Sequence, residues 1–264
     1  MLDWVEVNGV SLRYALEGEG PVLVLVHEIG GSLESWDGVV PELARRFRVL
    51  RYDQRGAGGS EKPRQPFGLK TLVEDLDALL AALSLPAPFH LVGAAMGAAQ
   101  AVMLAARRPR QVASLALLNP ALEVDPARAG LMRERARRTE EQGLRATLAM
   151  TLDRSWPPDG SEARARYRGR YLANDPYGFA RQNEALLDVA VEGLLGGLTC
   201  PVLLLAGTRD AVRPPQLVRR AAQLIPGSRL VEADAAHFTA AEAPAALLRH
   251  LRPFHDDVLA QDRR

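Results

Sequence analysis

Short runs of Val and Leu alternate along this chain with amphipathic stretches of helical period, and that alternation predicts a mostly parallel sheet covered by helices on both faces. The first two segments differ. Leu2–Val7 and Val10–Glu17 alternate apolar with polar residues around Asn8-Gly9, a pair that favours a type I′ hairpin turn. Buried strands are expected at Val22–Val26, Arg48–Tyr52, 89–92, Val112–Leu118 and 202–206, with a last strand at 228–231 near the sheet edge. Apolar positions close to the 3.6 period predict helices over 35–46, 71–83, 96–108, 216–224 and 244–258.

From 123 to 198 the alternation stops. No strand pattern occurs there; Arg- and Glu-bearing helical stretches are punctuated by Pro157-Pro158, Gly160 and Pro176. The chain therefore reads as one α/β core, residues 1–122 and 199–264, with an eight-stranded twisted sheet and a helical cap inserted at 123–198. An insertion that leaves between core strands emerges at their carboxyl ends, where α/β proteins bind ligands, so this one is expected to act as a lid.

Composition excludes several functions. With 264 residues, 47% of them hydrophobic and 25% charged, the chain is long enough to bury a sizeable core. Lys plus Arg (33) nearly cancels Asp plus Glu (32), and a net charge of +1 gives no field to gather nucleic acid or an anionic membrane. The first residues lack the basic and apolar regions of a signal peptide and no apolar run approaches bilayer length, so a soluble, cytoplasmic protein is expected. Cys200, the single cysteine, has no disulfide partner and lies beside an apolar strand, as an inert buried thiol would. His90, His250 and His255 have no second ligand at metal spacing, and neither phosphate-loop nor dinucleotide motifs occur. No metal and no cofactor are expected, and the expected partner is a small-molecule substrate.

Five segments bear chemistry. His27-Glu28-Ile29-Gly30-Gly31 follows the strand Val22–Val26, and Asp53-Gln54-Arg55-Gly56-Ala57-Gly58-Gly59-Ser60 follows the next core strand. Gly93-Ala94-Ala95-Met96-Gly97 joins a strand to a helix, with small residues where the two must cross. Asp210 lies just past a buried strand, and His237 follows the last one. The order elbow, acid, histidine, together with the H-x-x-G-G turn and the D-x-R-G-x-G-x-S loop, resembles the α/β-hydrolase fold over nearly the full chain. Within it, the sequence resembles the branch of 3-oxoadipate enol-lactonases and related small-ester and carbon–carbon bond hydrolases. The resemblance implies a hydrolase in which His237 is the general base and acid, Asp210 holds its tautomer, and the backbone amides of Ile29 and Met96 form the oxyanion hole.

Two residues depart from the family pattern. Ala95 stands where G-x-S-x-G places the nucleophilic serine, and a methyl group forms no acyl-enzyme. Glu28 stands where the turn usually has glycine, setting a carboxylate beside a site built to attract negative charge. Because both unusual residues fall at catalytic positions, the leading reading is an enzyme acting on a small carbonyl compound (an ester, enol-lactone or β-diketone) without a serine nucleophile, with Glu28 as an auxiliary acid or base. The alternatives are a serine esterase or lactonase whose nucleophile was replaced by Ala95, a non-catalytic protein that binds a small ligand, and a purely structural role for His237 and Asp210. Trp36, Trp156 and Phe238 are expected to line the substrate pocket, with Tyr167, Tyr171 and Tyr177 of the insertion as further candidates and plain core packing as the alternative for each. Asp53 and Arg55 are expected to brace their loop, and His27 to be held by backbone hydrogen bonds. Arg133–Arg138 and Arg164–Arg170 read as solvated helix faces, with an acidic substrate as the alternative.

Overall fold

A computed structural model describes residues 2–261. Eight strands form one sheet: β1 (Leu2–Val7), β2 (Val10–Glu17), β3 (Val22–Val26), β4 (Arg48–Tyr52), β5 (Phe89–Ala94), β6 (Val112–Leu118), β7 (Val202–Gly207) and β8 (Arg229–Ala233), in the order β1-β2-β4-β3-β5-β6-β7-β8. β2 pairs antiparallel with both β1 and β4, and every later pairing is parallel. Asn8 and Gly9 both have positive φ (47° and 72°), as the type I′ hairpin requires. Burial on both faces explains the unbroken apolar runs of the central strands. Val22, Val24 and Val26 of β3 face one apolar cluster while Leu23 and Leu25 face the other.

The two clusters are closed by helices. α2 (Leu69–Ala82), α3 (Met96–Arg107) and α8 (Pro215–Gln223) cover one face; α1 (Val40–Leu43) and α10 (Pro244–Gln261), with Trp36, cover the other. The helix expected over 35–46 is broken: a 3-10 turn, Leu33–Trp36, precedes the separate α1. Pro41 lacks the N–H that a continuing helix would need and sits instead at the start of α1, while a side chain at Gly38 would meet the Pro244 ring at 2.8 Å. Between β6 and β7 the chain runs through α4 (Ala129–Gln142), α5 (Leu152–Ser155), α6 (Glu162–Leu172) and α7 (Pro176–Ala185), and its only pairing there is an isolated bridge between Glu123 and Ala190. A separate aromatic cluster of Trp156, Tyr167, Tyr171, Phe179 and Phe238 ties these helices to α9 (Thr239–Glu242) and the loop before it. Among the described residues no helix is long and apolar enough to cross a membrane.

Under α10, His255 lies against Phe47 and His90 with neither ring nitrogen hydrogen-bonded. Burial, helped by the charges of His90 and Arg46 and opposed by Asp256, pushes it down to about 3. Because this folded-state value lies below the unfolded one, the unfolded chain takes up a proton that the folded chain refuses. Stability is therefore full above pH 6.5 and falls as the pH drops toward 3, by at most about 1.4 kcal/mol per unit. Thermal melts between pH 7 and 4.5 are expected to show a shallower decline for His255→Leu than for the native chain, and equal slopes would refute this assignment.

Candidate active site

At the end of β5 the backbone turns sharply into α3 through Ala95, whose φ of +48° and ψ of −112° lie where residues with a side chain are strained. Such a conformation costs about 1–3 kcal/mol and persists because its surroundings enforce it. The Ala95 N–H donates to the Leu118 carbonyl at 2.9 Å, and its own carbonyl accepts from Ala98 and Ala121 at 3.1 and 3.0 Å. A side chain at Gly97 would collide with the carbonyl oxygen of Val26, and one at Gly93 would stand 2.6 Å from the Ala98 Cα. Close crossing of helix and strand thus fixes the elbow, whatever side chain residue 95 carries.

β7 and β8 bring the acid and the histidine together. Asp210 Oδ2 accepts from His237 Nδ1 at 2.7 Å, while Oδ1 accepts the backbone N–H groups of Val212 and Arg213 at 2.7 and 2.8 Å. With Nδ1–H donating to the carboxylate, Nε2 carries the lone pair, and no described residue bonds to it. The histidine loop is anchored twice. His237 N–H donates to the Ser155 carbonyl at 2.9 Å, and the Asn119 amide donates to the Ala236 and His237 carbonyls (3.1 and 2.9 Å) and to Thr239 Oγ1 (3.0 Å) while accepting from Gly207 N–H (2.7 Å).

Glu28 is buried at 3% exposure, and its Oε1 accepts from the Ser35 hydroxyl at 2.8 Å and from the Tyr167 phenol at 2.5 Å. No described residue donates to Oε2. Burial, reinforced by the Glu28 charge, holds the Tyr167 phenol well above its ordinary pKa, so it remains a donor. Neither the Ile29 nor the Met96 amide has a protein acceptor among the described residues, which leaves two N–H groups flanking the elbow. His27 is fixed as expected: Nδ1 bonds to the Glu28 carbonyl at 2.7 Å and Nε2 accepts from Gln54 N–H at 3.1 Å.

A cavity of about 110 Å³ gathers Glu28, Ile29, Ala95, Met96, His237 and Phe238 beside residues of α4, α6 and α7. Two expected lining residues are absent from it. Trp36 is wholly buried in the core beneath the sheet, because its helix packs against α10's side of the molecule. Trp156 is consumed by the aromatic cluster, its Nε1 bonded to Asp159 at 2.9 Å; Tyr171 and Phe179 take the lining positions. The loop residues brace the turn: Asp53 accepts from Leu33 and Gly59 N–H and from Arg13, and Arg55 clamps Asp75 at 2.5 and 2.7 Å. Cys200 is half-buried, and burial pushes its thiol up to about 11, which keeps it protonated. Asn119 and Ser155 escaped sequence reading; an asparagine directly after a buried strand, Leu118-Asn119-Pro120, is the one signal that pointed to either of them.

A sheet of this order, an elbow after β5, an acid after β7 and a histidine after β8 define an α/β-hydrolase. The chain belongs to the α/β hydrolase fold family, whose model matches residues 21–244. It is similar to 3-oxoadipate enol-lactonase 2 of Acinetobacter baylyi, 28% identical over 92% of both chains, and to pyrrolizixenacetamide deacetylase of Xenorhabdus hominickii, 26% identical over 98% of both. Among solved structures, the enol-lactonase from Burkholderia xenovorans superposes with a TM-score of 0.90 at 32% identity, covering 96% of this chain and all of that one. The resemblance to hydrolases of the enol-lactonase branch is thereby borne out.

Proposed function

We propose that this protein hydrolyses a small carbonyl compound, an ester, enol-lactone or β-diketone, without a serine nucleophile. The observation that carries this reading is that His237, locked on Asp210 with Nε2 free, shares one cavity with the Ala95 methyl, the Glu28 carboxylate and two unengaged amides. The relatives named for lactone and amide cleavage support the reaction class.

In this mechanism a water molecule occupies the space above the Ala95 methyl. His237 Nε2 takes one of its protons as the oxygen bonds to the substrate carbonyl carbon, and the carbonyl electron pair moves onto oxygen, where the Ile29 and Met96 N–H groups hold it. The tetrahedral species then collapses: the bond to the leaving group breaks, and the imidazolium gives its proton to that group. Asp210 stabilises the imidazolium between these steps. Glu28 is the auxiliary acid–base group, with Oε1 held by Ser35 and Tyr167 and Oε2 left to exchange a proton with water or substrate.

The test is consumption of small lactones, enol esters and β-diketones by the native protein before and after treatment with a serine-directed phosphonate. Turnover that survives the phosphonate supports the reading. Loss of turnover accompanied by a labelled serine, or inertness toward all three classes, would sink it.

A further inference from the structure

The cap side of the cavity carries an imbalance of charge. Arg128, Arg135 and Arg154 from the cap and Arg213 from the loop after Asp210 all line it, against only two carboxylates, Glu28 and Asp125. Both acids are otherwise engaged, Glu28 with Ser35 and Tyr167 and Asp125 with the Ala127 N–H. Among the described residues none of the four arginines forms an ion pair. Arg135 donates to the Asn183 amide oxygen, Arg154 to the Ala211 carbonyl at 3.2 Å and Arg213 to the Glu123 carbonyl at 2.9 Å. Arg128 has no side-chain partner, and the buried Nε of Arg135 donates to nothing.

Other arginines of the same helical segment, the buried Arg164 among them, do have carboxylate partners. Arg137 is paired with Glu134 and Glu141, Arg164 with Asp153, Arg166 with Glu162 and Arg181 with Glu140 and Glu184. The guanidiniums along the cavity also act on one another: burial and then the charges of Arg128 and Arg154 lower Arg135 against an opposing effect of Tyr171, and burial and then Arg128 lower Arg213 against the opposing charges of Asp210 and Glu123. An anion entering the cavity would relieve this repulsion and satisfy donors that the protein leaves open.

We infer that the substrate is a small organic acid, its carboxylate held by Arg128, Arg135, Arg154 and Arg213 while its reacting carbonyl faces His237 and Glu28. The inference rests on the hydrolytic reading for the carbonyl end, but its carboxylate end is testable alone. The expectation that the 133–138 stretch is a solvated face is corrected at Arg135, which turns into the cavity because α4 packs along α7 and meets Asn183.

The probe is 5-oxohexanoate, titrated calorimetrically against the native protein beside its uncharged methyl ester and inorganic phosphate. The keto acid is expected to bind at least about tenfold more tightly than the ester, and Arg135→Gln to weaken it by about tenfold or more, as loss of a charged hydrogen bond does. Arg154→Gln, at an exposed position with a single backbone bond, provides a variant that leaves the fold unchanged and is expected to weaken binding in the same sense. Equal binding of acid and ester, phosphate outcompeting the keto acid, or unchanged affinity in both variants overturns the inference. Binding is read by calorimetry and hydrolysis in a separate assay, so the two readings fail separately. Keto acid binding without hydrolysis of any ester sinks the catalytic reading alone, and hydrolysis of neutral esters unaffected by either variant sinks this one.

Discussion

Serine in place of Ala95 is expected to react stoichiometrically with a fluorophosphonate that leaves the native chain unlabelled, as read by intact-protein mass spectrometry. On the reading proposed above, the groups that would serve a nucleophilic hydroxyl are already gathered at residue 95. The strained backbone at residue 95 is imposed by the contacts of Gly93 and Gly97, so the new Oγ inherits the projection into the cavity that the methyl has now. His237 lines the same cavity, its Nδ1 bonded to Asp210 and its Nε2 without a partner among the described residues. Two amides stand ready for the oxyanion. Glu28 works against the reaction, because its charge opposes both the alkoxide and the adduct; adding Glu28→Gln to Ala95→Ser is expected to speed labelling. A folded Ala95→Ser protein that resists the probe would show that His237 does not reach residue 95.

The second large effect concerns the acid–base groups. His237→Ala is expected to lower kcat/KM on whichever substrate the native protein consumes by about 10²–10⁴-fold, and Glu28→Gln by an amount toward the lower end of that range. These factors correspond to about 2.7–5.5 kcal/mol of lost transition-state stabilisation. Glutamine at 28 keeps an oxygen for the Ser35 and Tyr167 hydroxyls and removes the charge and the titratable proton, so the fold is retained and the chemistry is not. A structural role for Glu28 would appear instead as a lower Tm with kcat/KM unchanged, and that pattern would remove it from the mechanism.

The fold was legible because its signals are strong and local. Apolar runs buried on both faces, as in β3, admit no amphipathic helix, and Asn8-Gly9 dictates its own turn. The acid and the histidine were legible for a related reason: each follows the end of a strand, and parallel strands deliver their carboxyl ends to one rim. What the sequence concealed lies in the cap. Trp156, Tyr167 and Tyr171 have the same character in sequence and share one cluster, yet Trp156 bonds Asp159, Tyr167 bonds Glu28 and Tyr171 lines the cavity. Helix packing decides among them, and packing is not written in a 3.6-residue period. The same holds for the arginines, where an inner Arg135 and an outer Arg137 sit two positions apart on α4.

The elbow has a further consequence for how the chain tolerates change. Glycine is the residue that occupies a φ of +48° most cheaply, and at position 95 it would shed much of the torsional penalty without disturbing the crossing of β5 and α3. Alanine keeps the penalty and adds a single methyl, which forms part of the cavity floor at 8% exposure. That methyl is a spacer. On the route proposed above it would hold the attacking water nearer the imidazole than a glycine would, so that a side chain with no reactivity of its own would set the depth of the reaction.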